Sequence, residues 1–72
     1  MAEPPKVMYE RSPVKKRIYQ VLETWDYNTD GKATTYGIAK KIEYSEAMVG
    51  KVLRYLKDEG MVSKNKQGSW HL

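Results

Sequence analysis

Residues 34–62 read TTYGIAKKIEYSEAMVGKVLRYLKDEGMV, and the spacing of their apolar side chains decides the fold. Ile38, Ala39 and Ile42 recur at helical spacing behind Thr34, a side chain suited to cap a helix. Tyr44 and Ser45 make a tight connection. Ser45 caps the next helix, and Glu46 in its first turn suits the positive end of the helix dipole. Val52, Leu53 and Leu56 then fall within about 60° of Val49 at 100° per residue, which is one buried stripe. Gly60 is the expected stop, a glycine just past the helix end. The segment predicts a short helix, a tight turn and a longer helix over 46–59.

Working outward, Met61–Lys64 and Ser69–Leu72 read as two short strands, with Asn65, Lys66, Gln67 and Gly68 as the hairpin tip. On the other side, Asp26–Gly31 is rich in turn formers, and Lys32-Ala33-Thr34 has room for one short strand. Ser12-Pro13 is a helix start, and Val14, Ile18, Val21, Leu22 and Trp25 continue it as one apolar face from Pro13 to Trp25. Residues 1–11 hold two prolines and no period, so they are expected to be a flexible arm ahead of one domain over 12–72. The predicted class is α+β: three helices, one short strand and a C-terminal β-hairpin.

Composition narrows the function. The chain has 72 residues, 13 Lys and Arg against 9 Asp and Glu, a net charge of +4, no cysteine and one histidine. Glu3, Lys6, Glu10 and Arg11 cancel, so the whole excess sits on residues 13–72. A small basic domain suits an anionic partner. Without cysteine there are no disulfides, thiolate metal sites or thiol nucleophiles. That composition fits a reducing cytoplasm. No apolar run is membrane-length and no signal-peptide pattern opens the chain, so a cytoplasmic location is the expectation.

Asp26, Asn28, Asp30 and Gly31 match the opening of a calcium loop. That motif requires a carboxylate at its twelfth position, and here that position is Gly37. No base is placed to activate a serine or threonine nucleophile, and there is no glycine-rich phosphate loop. Neither an enzyme nor a cofactor is expected.

The polar side of the third helix is more informative. Ala47, Gly50, Lys51, Arg54, Lys57 and Asp58 lie opposite the apolar stripe, with Met48 and Tyr55 flanking. Glycine inside a helix costs ~1 kcal/mol relative to alanine. At Gly50 it leaves a shallow surface for a close approach, either by another molecule's backbone or by a neighbouring helix of the same domain. Ala47, Gly50, Lys51 and Arg54 are therefore the expected readers of bases. Thr35, Tyr36, Lys40, Ser45, Tyr55, Lys64, Lys66 and Gln67 are the expected phosphate contacts. The first two sit at a helix start where free N–H groups attract anions.

From Lys32 to Leu72 the chain resembles winged helix-turn-helix domains. The resemblance rests on Ile38-Ala39-Lys40-Lys41-Ile42, on Val49, Leu53 and Leu56, and on Gly60-Met61-Val62 ahead of a basic hairpin. It implies a small double-stranded DNA-binding regulator, with helix 46–59 in the major groove and hairpin 62–71 on the phosphate backbone. Stand-alone domains of this size are similar to those of archaea and viruses, and many act as dimers, so a second copy is a candidate partner. Glu43 departs from the family, whose turn often has glycine there. Gly31-Lys32-Ala33-Thr34-Thr35 and Trp70 are similar to Zα domains, which bind left-handed DNA or RNA. That subfamily reads its ligand with an asparagine and a tyrosine where this chain has Gly50 and Arg54, and with a proline pair absent here. Winged helices also serve as protein-interaction modules, a third reading in which exposed tyrosines mark the partner surface.

Overall fold

The computed structural model describes residues 13–72. The Ser12 cap and the arm over 1–11 lie outside them. In chain order come α1 (Pro13–Glu23), α2 (Thr35–Ile42), α3 (Glu46–Asp58), β1 (Ser63–Lys64) and β2 (Trp70–His71). The three helices pack on one another, and the two strands form an antiparallel ribbon pairing Ser63 with His71 and Lys64 with Trp70.

The core is the one the spacing describes, except that Val21 of the α1 face is only half-buried against it. Val14, Ile18 and Leu22 of α1 meet Ile38, Ala39 and Ile42 of α2 and Val49, Val52, Leu53 and Leu56 of α3. Ile18, Ile38, Val49, Val52, Leu53 and Leu56 are wholly buried. Burying such side chains contributes roughly 1.5–3 kcal/mol each before conformational entropy is charged.

Helix α1 stops at Glu23, two residues short of the expected Trp25. The last turn tightens, with the Trp25 amide donating to the Leu22 carbonyl at 3.4 Å. The Thr24 hydroxyl donates back to the Gln20 carbonyl at 3.0 Å, a local bond that competes with helix continuation. Trp25 stays in the core, and its indole N–H donates to the Gly31 carbonyl at 2.9 Å.

The α2 and α3 caps form as read. Thr34 Oγ1 accepts from the Gly37 amide at 3.0 Å, and Ser45 Oγ accepts from the Met48 amide at 3.1 Å. At the end of α3, Gly60 (φ 78°) donates to Lys57 and Met61 donates to Leu56, at 3.0 and 2.9 Å. These are the paired bonds of a Schellman stop. Helix α2 also ends on a left-handed residue, without a glycine. Glu43 takes φ 61° and ψ 44°, and the Tyr44 amide donates to the Ala39 carbonyl at 3.1 Å. The turn geometry that a glycine would supply is thus kept, at the cost of a left-handed glutamate. Arg17 supports this corner, its Nη1 donating to the Ile42 carbonyl at 3.4 Å and its guanidinium lying 5.9 Å from the Tyr44 ring centre.

Lys32–Thr34 is not a strand. Only one ladder bond reaches it, from the Trp70 amide to the Ala33 carbonyl at 2.9 Å. The Ala33 amide donates instead to the buried Ser69 hydroxyl at 3.0 Å. The ribbon is also shorter than the expected 61–64 and 69–72. Met61 belongs to the helix stop, Val62 to the core, and Ser69 to Ala33. Asn65 closes the tip by accepting the Gln67 and Ser69 amides on Oδ1 at 2.9 and 3.0 Å.

Two changes test these corners. Ser69→Ala leaves the buried Ala33 amide without a partner and lowers unfolding free energy by about 1–3 kcal/mol in urea. Glu43→Gly relieves the left-handed backbone and raises it by about 0.5–1 kcal/mol, read by the same titration.

Candidate functional site

Three elements build one open concave surface. Helix α3 supplies its floor with Ala47, Gly50 and Arg54, the hairpin supplies Lys64 and Trp70, and the start of α2 supplies Thr35. The floor follows from the α3 period. Turning Val49, Val52, Leu53 and Leu56 inward leaves the chain of positions 47, 50, 51, 54, 57 and 58 outward.

Trp70 sets the second wall. It is buried, its indole N–H donates to Thr35 Oγ1 at 3.1 Å, and its carbonyl accepts from the Tyr27 hydroxyl at 2.7 Å. Burial raises the pKa of that hydroxyl above its ordinary 10.0. The Tyr27 ring stacks on His71 with centroids 4.5 Å apart. Lys64 runs over the Trp70 ring, with Nζ 5.3 Å from its centre.

The surface is cationic on balance. Lys51, Arg54, Lys57 and Lys64 line it against Glu46 and Asp58. Among the described residues, none of these four cations is in an ion pair. They offer charge and N–H donors but no acceptor, which suits oxyanions.

All four expected base readers, Ala47, Gly50, Lys51 and Arg54, line this surface, together with Thr35, Tyr55 and Lys64 from the expected phosphate contacts. Five others do not. Tyr36 and Lys40 are exposed on α2, the Lys40 ammonium lying 5.6 Å from the Tyr36 ring centre. The Ser45 hydroxyl accepts the α3 cap bond. Lys66 and Gln67 stand at the hairpin tip, past the ribbon. Sequence reasoning missed Glu46, Lys57, Asp58 and Trp70 as lining residues. The signal for Lys57 was its three-residue offset from Arg54 on the same face. Nothing in the pattern announced how the ribbon carries Trp70 onto Thr35.

The calcium-like loop is spent on its own turn. Asp26 Oδ1 accepts the Asn28 and Thr29 amides at 3.0 and 3.1 Å, and Oδ2 accepts the Thr29 hydroxyl at 2.9 Å. Asp30 pairs with Lys41 at 2.9 Å, and that ammonium also lies 4.9 Å from the Trp25 ring centre. The Thr29 hydroxyl bond, then the two amide bonds, hold the Asp26 carboxyl below its ordinary 3.8.

Among known proteins, no family model, curated protein or solved structure matches the chain.

A depressed folded-state pKa means the Asp26 turn adds stability above the unfolded value near 3.8 and loses it as pH falls through the lower folded value. Removing the donor in Thr29→Val moves the Asp26 titration midpoint upward, toward 3.8, in a carboxyl-detected NMR titration.

Proposed function

We propose that the protein binds double-stranded DNA as a winged helix-turn-helix domain and acts as a small regulator of transcription. One observation carries the reading: unpaired cations from α3 and from the hairpin converge on one open concave surface. In this reading α3 enters the major groove, and Arg54 and Lys51 reach base edges or phosphates. Lys64 and the Thr35 end of α2 hold the backbone on the other wall. The apolar stripe of α3 is wholly committed to the core, so its outward face is free for a ligand.

A second reading is favoured by Trp70. It shares the surface with Gly50 and Arg54, the positions at which Zα domains carry their asparagine and tyrosine, and would make the ligand a left-handed duplex. Circular dichroism of an alternating CG duplex separates the two. An inverted spectrum on adding protein supports the left-handed ligand, and an unchanged one argues against it.

The decisive measurement is an amide-shift titration with generic duplex DNA at low salt. Shifts confined to α3, Thr35 and the hairpin are the expected result. A silent titration overturns the reading and leaves a protein-interaction module ahead. Each phosphate contact adds about 0.9 to the slope of log affinity against log salt. Lys64→Ala therefore lowers that slope by about 1 in fluorescence anisotropy. Arg54→Ala weakens binding by about 1–3 kcal/mol. Both leave the melting transition in place, because neither side chain is in the core.

A further inference from the structure

Glycine has two different roles in the helices of this chain. At Gly37 the fold wants it. A Cβ there would stand 3.2 Å from Thr34 Oγ1, which makes the α2 cap, and 3.4 Å from the Trp25 ring. At Gly50 the fold does not. Among the described residues a Cβ there would meet only Thr35 Cγ2, at 3.7 Å, an ordinary contact. Gly50 also has no left-handed backbone to justify it, since the positive-φ glycines are Gly31, Gly60 and Gly68. It sits in the middle of α3, where glycine lowers helix stability and alanine raises it. Packing among the described residues and backbone conformation both leave the residue unexplained.

What remains is the outward side. Gly50 lies on the floor of the concave surface, between Ala47 and Arg54 on α3, and Lys64 and Trp70 line the same surface. We infer that Gly50 is a close-approach residue, the point where the duplex comes nearest to the α3 backbone. The inference rests on the DNA-binding reading above. A side chain at position 50 fills the floor, lifts the duplex off α3, and shortens the reach of Lys51 and Arg54. Stability and binding therefore respond in opposite directions to the same substitution, which a purely structural role for Gly50 would not produce.

Gly50→Ala and Gly50→Leu test this, each measured by thermal melting and by anisotropy with a fluorescent duplex of about two helical turns at low salt. Alanine is expected to raise the melting temperature by about 4–8 °C. It is expected to weaken binding about tenfold, with leucine weakening it further. Equal affinity of wild type and Gly50→Ala overturns the inference alone. So does a lower melting temperature for Gly50→Ala, which would return the glycine to the fold. A wild-type protein that does not bind the duplex overturns the DNA-binding reading, and the inference with it.

Discussion

The indole of Trp70 holds the ribbon against the helices, and the geometry of the concave surface depends on it. The two strands are two residues each, far too short to stand alone. Their position comes from side chains instead. The Trp70 N–H finds Thr35, its carbonyl takes the Tyr27 hydroxyl, its amide bonds Ala33, and the neighbouring Ser69 takes the Ala33 amide. Every one of these partners lies in the 27–35 stretch, from the loop after α1 to the first residue of α2. Among the described residues, no buried side-chain nitrogen or oxygen lacks a partner. A small core can therefore carry a polar seam at low cost.

The same seam explains why Thr35 is in the site at all. It is the first residue of α2, beside the Thr34 cap, so the cap and the indole contact place it together. Local helix chemistry thus sets one wall, and long-range docking of the ribbon sets the other. The floor between them needs neither. It is the outward face of α3, given by the period of the helix.

This division tracks what was legible in the sequence. Helix positions, caps and the buried stripe followed from spacing and from Thr34, Ser45 and Gly60, because those signals act within one or two turns. The α1 end was misjudged because Trp25 keeps the apolar period after the backbone has left the helix. The 32–34 strand was misjudged because the Ser69 hydroxyl replaces a ladder bond, which no pattern of apolar residues announces. Of the expected phosphate contacts, Lys66, Gln67, Tyr36 and Lys40 had the right chemistry on the right elements. Whether a side chain faces the concavity depends on how the ribbon docks, and that is set by contacts 35 to 43 residues apart in the chain.

Those separations bear on the order of assembly. α2 and α3 are joined by a three-residue corner, so they meet at little loop-closure cost. The ribbon must instead find partners more than thirty residues back, a costlier closure rewarded only after the helical body exists. Docking of the ribbon is thus expected to come late in folding, and its release early in unfolding. A ligand spanning α3 and Lys64 would brace the last piece to arrive, coupling occupancy of the surface to the lifetime of the native state.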